Sequence, residues 1–258
     1  MNQKFISKLK EIIIKAGKMS VDLRDKGLVV QKKGDDSPVT NADLEISNFI
    51  YKNLTKLDSN IPIICEEQPL LDVSNAEMFW LVDPIDGTRS YIRNIDSFTV
   101  NIALIRNQIP IIGLIYQPTL QKLYFTDHEG NFFAEQYGKN MQAIKREDDS
   151  FIAVVSSRNF NDTTEQYIRE NNFSEILAVP SSIKLCMIAE GSGDVYPKFG
   201  PTMEWDIAAG HALINASGGK VVDNNTDETL LYGKSGFKNS DFIAFNKKHL
   251  KARLQPER

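Results

Sequence analysis

The segment Met78–Thr88 has the sequence MFWLVDPIDGT, and it decides the fold class because an apolar run ends directly in carboxylates. The run Met78–Val82 is short and continuous, which is typical of a buried strand. Asp83 and Asp86 follow it, and the proline between them fixes its own φ, so the sequence predicts a tight turn there. Gly87 then allows the backbone to approach another group closely. A buried strand that ends in two carboxylates indicates a binding or catalytic site.

Two further acidic features lie at predicted element ends. Glu66-Glu67 follows the apolar segment Ile61–Cys65, and Asp206 comes just before a helical pattern over Ile207–Ala216. Each feature alone has a structural explanation: a glutamate pair on a solvated surface, a simple turn at Asp83–Gly87, and a helix N-cap at Asp206. Together they favour a site for a hard divalent cation, because Mg²⁺ prefers oxygen ligands.

The first half of the chain predicts two helices followed by antiparallel strands. An amphipathic helix begins near Met1 and ends near Asp25–Gly27, and Thr40 caps a second helix in which Asp43 stands at the third position. From residue 97 onward, apolar segments separated by turn residues predict a meander. Its predicted strands are Phe98–Ile105, Ile109–Tyr116, Lys122–Thr126 and Asn131–Ala134.

The polar run Lys145–Ser150 is the best candidate for a domain boundary. Beyond it, strand and helix patterns alternate, which is typical of an α/β arrangement. The predicted elements are Phe151–Val155, Thr164–Asn171, Ile176–Val179, Ile183–Ala189, Ile207–Ala216 and Lys220–Val222. We therefore predict an N-terminal α+β domain over residues 1–147 and a C-terminal α/β domain over residues 148–258.

The composition excludes several classes of protein. The 258 residues include 30 Lys and Arg against 34 Asp and Glu, giving a formal charge of −4, which argues against a general nucleic-acid binder. Cys65 and Cys186 are far apart and there are three scattered histidines, so neither a disulfide scaffold nor a thiolate or multi-histidine zinc site is indicated. No targeting segment or membrane span is predicted, which favours a cytoplasmic location.

Two motifs carry a family resemblance. Asp83-Pro84-Ile85-Asp86-Gly87-Thr88 together with Trp205-Asp206-Ile207-Ala208-Ala209-Gly210 resembles the paired signatures of the inositol monophosphatase superfamily. Its members are Mg²⁺-dependent, lithium-sensitive phosphomonoesterases with a layered α-β-α-β-α fold. The resemblance runs from Gly34 to about Val222. Within the superfamily, SPVT (37–40), SSIK (181–184) and YPKFGPT (196–202) look like the CysQ type, which converts adenosine 3′,5′-bisphosphate to AMP and phosphate.

The resemblance implies a set of ion ligands at matching positions. Glu66, Asp83 and the Ile85 carbonyl would hold one Mg²⁺ ion. Asp83, Asp86 and Asp206 would hold a second, and Glu67 or Asp43 would assist a loosely held third ion. The expected cofactor is therefore two or three Mg²⁺ ions. An independent argument agrees, because a phosphomonoester dianion repels hydroxide and two cations would neutralise that charge.

The resemblance also implies catalytic and substrate contacts. Asp43 and Thr88 would activate the attacking water beside Glu66, and the backbone amides of Gly87 and Thr88 would contact the scissile phosphate. The implied substrate contacts are Gly87, Thr88, Ser181, Lys184, Lys198 and Asp206. Lys184 is expected to bind the second phosphate of a nucleotide. Many relatives have arginine where Lys198 stands, so a bidentate phosphate contact would be weakened here.

Other interpretations remain open at this point. The pair Ser157-Arg158 is a further candidate for nucleotide contact, whereas Trp205 and His211 are expected to pack beside the site. The substrate could instead be inositol monophosphate, fructose 1,6-bisphosphate or NADP, although Lys198 replaces the glutamate that inositol-selective relatives usually carry in this stretch. A second class is a non-catalytic phosphometabolite-binding regulator. The sequence leaves the oligomeric state and any loose membrane association open.

Overall fold

The computed structural model describes residues 1–34, 37–142, 144, 146, 150–157 and 161–254. Its helices are α1 (Gln3–Lys26), α2 (Asn41–Leu57), α3 (Thr88–Ile92), α4 (Asp162–Glu170), α5 (Ile183–Glu190), α6 (Glu204–Ala216) and α7 (Lys247–Leu254). Its strands are β1 (Val30–Lys32), β2 (Pro38–Thr40), β3 (Ile63–Cys65), β4 (Met78–Asp86), β5 (Thr99–Arg106), β6 (Ile109–Gln117), β7 (Lys122–Thr126), β8 (Phe132–Gln136), β9 (Lys139–Asn140), β10 (Ile152–Ser156), β11 (Glu175–Val179), β12 (Val195–Lys198), β13 (Lys220–Asp223) and β14 (Phe242–Phe245). Short 3₁₀ turns cover Pro118–Leu120 and Ser235–Phe237.

A seven-stranded sheet with the order β3-β4-β5-β6-β7-β8-β9 forms the first half of the fold. Strand β3 runs parallel to β4, and the other neighbouring strands pair antiparallel. Alternate residues of β4 face opposite sides, so Trp80 and Val82 pack in one apolar cluster while Phe79 and Leu81 pack in another. Helices α1 and α2 cover the first of these faces.

Helix α6 lies against the opposite face of the large sheet, mainly on β5 and β6. The approach is closest at Gly113, where a Cβ atom would lie 2.2 Å from the Ala209 carbonyl oxygen and 2.8 Å from the Ala212 Cβ. Because backbone atoms set this contact, no side chain can move aside to make room. Gly113 therefore allows the layer that carries Asp206 to pack directly on the sheet that carries Asp83.

We expect Gly113→Ala to lower the free energy of unfolding by about 1–3 kcal/mol, the usual effect of overpacking a filled core. Urea denaturation followed by circular dichroism measures this change. Gly34→Ala is the matched control, since a Cβ atom at Gly34 would meet no atom of the described residues within 4 Å. Equal stability of the two variants would contradict the close helix–sheet contact.

The second sheet has five strands in the order β11-β10-β12-β14-β13. Strand β10 pairs parallel with β11 and β12, whereas β14 pairs antiparallel with β12 and β13, so this sheet is mixed. Helices α5 and α6 lie between the two sheets, while residues of α4 and α7 pack on the outer face of the smaller sheet. The layers therefore follow the order α-β-α-β-α, and the predicted fold class is confirmed.

Three local expectations have different outcomes. The proposed boundary between residues 147 and 148 stays a prediction, because 147 and 148 lie outside the described residues. The tight turn at Asp83–Asp86 is wrong, since this segment continues β4 as a bulge against β5. The alternative interpretation of Asp206 as a simple N-cap is also wrong, because Met203 is the N-cap and Asp206 stands at the third helical position. No described helix has both the length and the apolar character that a membrane crossing requires.

Candidate active site

The bulge at the end of β4 presents two of the predicted carboxylates. The side chain of Asp83 is buried, and its Oδ1 atom accepts a hydrogen bond from the Ile85 amide at 3.0 Å. Asp86 is partly buried, and its Oδ2 atom accepts a short hydrogen bond from the Ser182 amide at the start of α5. The register shift between Asp83 and Asp86 lies at the end of β4, where Asp86 meets the start of α5.

Asp43 and Thr88 come together as the sequence predicted. Thr40 caps α2, and its amide and hydroxyl both donate to Asp43 Oδ2, at 2.8 and 2.5 Å. The Thr88 hydroxyl lies 3.5 Å from Asp43 Oδ1 and 3.1 Å from the Ile85 carbonyl oxygen. The capping box therefore fixes Asp43 Oδ2, while Oδ1 remains directed toward Thr88.

Lys33 contacts the glutamate pair, which the sequence analysis did not anticipate. Its Nζ atom donates to Glu66 Oε1 and to Glu67 Oε1, both at 2.6 Å. Burial by itself would lower the pKa of Lys33, but the Glu66 and Glu67 carboxylates outweigh it and raise that pKa. Burial raises the pKa of Glu67 to about 7, although its hydrogen bond from Lys33 opposes the shift. The chain thus places its own cation against two carboxylates of the predicted ion site.

Four acidic side chains lie close enough to repel one another, and they are Glu66, Asp83, Asp86 and Asp206. Burial, followed by the charge of Glu66, raises the pKa of Asp83 well above its usual value, and Asp86 and Asp206 add to this shift. Burial and the charge of Asp86 do the same to the pKa of Asp206. For Asp86, burial raises the pKa while the nearby Lys184 ammonium lowers it. Such repulsion is relieved when a cation binds among the carboxylates.

The donor set fits Mg²⁺ in chemistry, although the present arrangement is not yet a coordination shell. Across the described part of the chain, no three Asp, Glu, His or Cys side chains are arranged so as to hold a metal ion. The available donors are carboxylate oxygens and the Ile85 carbonyl, which are the hard ligands that Mg²⁺ prefers. The Lys33 ammonium holds Glu66 Oε1, so that oxygen would have to leave the lysine before it could bind an ion.

A cavity of about 190 Å³ lies beside the carboxylates and is lined mainly by polar side chains. Lys184 and Lys198 both line it, and both are buried. The Lys184 Nζ atom donates to the Ser181 carbonyl oxygen at 2.5 Å, whereas Lys198 Nζ and the Ser181 hydroxyl have no hydrogen-bond partner among the described residues. Burial lowers the pKa of Lys184 to about 8, against the opposing charge of Asp86. An unpaired buried ammonium at a cavity indicates an anion site.

The structure brings nearly all predicted residues to this region and adds several others. Ser156, Ser182, Tyr196, Pro201 and Thr202 also line the cavity. Pro201 and Thr202 lie in the loop that follows β12, where no helix or strand pattern applies, so the family resemblance was the signal that pointed to them.

The remaining candidates are placed as follows. Ser157 is exposed and does not line the cavity, while its neighbour Arg158 lies outside the described residues. Trp205 and His211 are buried, as expected for packing residues. Trp205 packs against Phe237, and the His211 ring meets the Tyr232 hydroxyl at 3.0 Å. Burial lowers the pKa of His211 to about 3, so this ring stays neutral at physiological pH.

The layered α-β-α-β-α fold with its carboxylate cluster is the arrangement that the sequence resemblance implied, and a family comparison agrees. The model of the inositol monophosphatase family matches residues 1–258, so the chain belongs to that family. The predicted resemblance is therefore confirmed.

Named relatives show which members of the family this chain resembles. The chain is 35% identical over 249 residues to a protein of Buchnera aphidicola named 3′(2′),5′-bisphosphate nucleotidase CysQ, with 94% of each chain covered. It is 39% identical over 194 residues to the protein of the same name from Salmonella typhimurium, covering 74% of this chain and 78% of the relative. The crystal structure of CysQ from Bacteroides thetaiotaomicron matches with a TM-score of 0.83 and 32% identity, over 95% of this chain and 98% of the other. The CysQ resemblance is thus confirmed as well.

Proposed function

We propose that this chain is a Mg²⁺-dependent phosphomonoesterase that hydrolyses the 3′-phosphate of adenosine 3′,5′-bisphosphate to give AMP and phosphate. The observation that supports this proposal best is the cavity itself, where the carboxylate cluster meets two buried lysines. A cluster of negative charge suits cations, and an unpaired ammonium beside it suits a second anionic group of the same substrate. The relatives named bisphosphate nucleotidases support the same substrate class.

The proposed ligands are those that the sequence resemblance implied. Glu66, Asp83 and the Ile85 carbonyl oxygen would hold one ion, and Asp86 and Asp206 would join Asp83 around a second. Bound there, Mg²⁺ supplies charge neutralisation for the phosphate dianion and a lower pKa for the attacking water. The ion number stays at two or three, with Glu67 or Asp43 assisting the third.

The chain's own residues would orient the reactants. Thr88 would accept a proton from water and pass its own to Asp43, whose free Oδ1 atom lies 3.5 Å from the Thr88 hydroxyl. Burial raises the pKa of Asp43, partly offset by its hydrogen bonds from Thr40, so this carboxylate is a better base than a solvated aspartate. The amides of Gly87 and Thr88 would bind the scissile phosphate. Gly87 has φ 90°, a left-handed conformation that favours glycine.

Phosphate release from four substrates tests the proposal. The panel contains adenosine 3′,5′-bisphosphate, inositol 1-phosphate, fructose 1,6-bisphosphate and NADP, each in Mg²⁺ with and without lithium. We expect kcat/KM for the bisphosphate nucleotide to exceed the others by at least about tenfold, roughly 1.4 kcal/mol of transition-state preference. A preference for another substrate would contradict the nucleotide assignment but leave the phosphatase activity supported. Inactivity on all four substrates would favour a phosphometabolite-binding regulator.

The Thr88 hydroxyl provides a test of the proposed proton path. We expect Thr88→Ala to lower kcat by about 10²–10⁴-fold, the usual contribution of a positioned acid–base group, with KM changed far less. Thr88→Ser is the matched control, because it keeps the hydroxyl that faces Asp43 and should keep most of the activity. Equal losses in both variants would show that packing rather than the hydroxyl is responsible.

A further inference from the structure

A buried polar cluster beside Asp86 links the large sheet to the start of α5, and its members are Thr99, Asn101 and Ser182. These side chains are 1%, 1% and 3% exposed, so water contributes little to their hydrogen bonding. Thr99 and Asn101 lie on β5 of the large sheet, while Ser182 is the N-cap of α5, the helix that carries Lys184. The cluster therefore connects the ion side of the site with the substrate side.

The donor and the acceptor of each hydrogen bond in this cluster can be assigned. The Ser182 hydroxyl donates to Asn101 Oδ1 at 2.9 Å, and that amide oxygen can only accept. The Thr99 and Ser182 hydroxyl oxygens are 2.7 Å apart, so Thr99 donates to Ser182. Both side chains on β5 thus hold Ser182 in one place. Its backbone amide then points at Asp86 Oδ2.

The strand register places the same cluster beside both aspartates of the β4 bulge. Thr99 is the cross-strand partner of Asp86, and Asn101 is the cross-strand partner of Asp83. Side chains directly opposite each other in an antiparallel pair have Cβ atoms about 4.5–5.5 Å apart. The Asn101 amide nitrogen is buried, and no residue in the described part of the chain hydrogen-bonds to it. A buried donor left in this way costs stability, which indicates a role in another state of the site.

The loop that leads into Ser182 shows strain of the same kind. Ser181 has φ 52°, a left-handed conformation that is uncommon for a residue with a Cβ atom. A Cβ atom on Gly87 would lie 3.3 Å from the Ser181 Cβ, so the two loops lie close together. On the other side, Lys184 donates to the Ser181 carbonyl oxygen. Strain held by contacts on both sides is a feature of preorganised functional sites.

We infer that Thr99, Ser182 and Asn101 are positioning residues for the ion site, an inference that rests on the proposed function. Thr99 and Asn101 fix the Ser182 amide, which aims the Asp86 carboxylate, while the unpaired Asn101 amide is available to Asp83 when that side chain turns toward an ion. None of the three is a ligand. They act through hydrogen bonds to the ligands, the type of contact that sets ligand orientation in metal sites.

The test measures binding of Mn²⁺ alone, by the electron paramagnetic resonance signal of the free ion, in the full chain without substrate. Thr99→Val replaces the hydroxyl with a methyl group of similar size, and Ser182→Ala removes the hydroxyl that Thr99 and Asn101 share. Thr99→Ser keeps the hydroxyl donor. We expect the first two variants to weaken Mn²⁺ binding by about 10–100-fold, as for other groups that orient metal ligands, and Thr99→Ser to stay near wild type.

A matched control separates positioning from a loss of stability. Ser20 is fully buried and its hydroxyl donates to the Gly17 carbonyl oxygen at 2.6 Å, so Ser20→Ala removes a comparable hydrogen bond within α1. We expect Ser20→Ala to lower the thermal midpoint but not the Mn²⁺ affinity. Unchanged Mn²⁺ affinity in Thr99→Val and Ser182→Ala would overturn the inference, as would a Thr99→Ser variant as weak as Thr99→Val.

The outcome is distinguishable from failure of the proposed function. If wild type and variants show the expected Mn²⁺ pattern but wild type hydrolyses none of the four phosphates, the positioning inference stands and the proposed function fails. If wild type hydrolyses the nucleotide while the variants bind Mn²⁺ like wild type, the function stands and the inference is overturned.

Discussion

Asp83→Asn should abolish phosphate release while leaving the protein folded. Asp83 is the ligand proposed to be shared by two ions, and the amide removes a full negative charge from a buried position that is 2% exposed. We expect kcat/KM for the preferred substrate to fall at least about 1,000-fold, comparable to losing one major source of electrostatic stabilisation. Phosphate release at saturating Mg²⁺ measures the effect.

The same substitution should not destabilise the ion-free protein. Burial and the charges of Glu66 and Asp86 raise the pKa of Asp83 in the folded state, so the folded chain binds that proton more tightly than the unfolded chain. Stability therefore falls as the pH rises from the ordinary aspartate pKa through the raised one, and a neutral side chain avoids this loss. In EDTA at neutral pH, the thermal midpoint of Asp83→Asn should equal or exceed that of wild type.

The exposed Asp227 supplies the control for this pair of measurements. It has φ 57°, a conformation that asparagine also tolerates, so Asp227→Asn should change neither activity nor stability. Retained activity in Asp83→Asn would contradict its role as an ion ligand. A large drop in its thermal midpoint in EDTA would show instead that the carboxylate stabilises the fold.

Local sequence patterns predicted the helices and strands because the spacing of apolar residues within a segment reflects which of its faces are buried. Thr40 caps α2 with Asp43 at the third position, as predicted, and the two side chains form a capping box; Gly191 ends α5 in the left-handed conformation. The alternation within β4 likewise follows from one strand covered on both faces. The bulge at Asp83–Asp86 was missed because its cause is the pairing with β5, and a local turn signal contains no information about that partner.

The site could be predicted only as far as the motifs and the family resemblance reached. Asp83 and Asp206 are far apart in sequence and meet because Gly113 lets α6 pack directly on β6. The contact of Lys33 with Glu66 was not predictable from a polar run that is equally typical of a solvated turn. Asn101 was missed for another reason: its relation to Asp83 exists only in the strand register.

Lys198→Ala should impair the bisphosphate nucleotide selectively. The Lys198 ammonium lines the cavity, is 4% exposed and makes no hydrogen bond within the described ranges, so it is available to a second phosphate. A hydrogen bond to a charged group contributes about 1.5–3 kcal/mol, which corresponds to about a 10–150-fold rise in KM. Steady-state kinetics with adenosine 3′,5′-bisphosphate and with 3′-AMP measures this, because both carry the same scissile phosphate.

Lys184→Ala is the necessary comparison, because the sequence analysis predicted that Lys184 binds the second phosphate. Its ammonium already donates to the Ser181 carbonyl oxygen, and it is the main charge that lowers the pKa of Asp86. Removing it would disturb the ion site as well as the cavity, so we expect both substrates to lose kcat.

Lys198→Arg keeps the charge and adds a bidentate donor, so it should bind the nucleotide at least as well as wild type. If Lys198→Ala raised KM equally for both substrates, Lys198 would not distinguish the second phosphate. If Lys184→Ala alone showed the selective effect, Lys184 would be the residue that contacts the second phosphate. Only an ammonium that binds this phosphate changes KM for the bisphosphate nucleotide without changing KM for 3′-AMP.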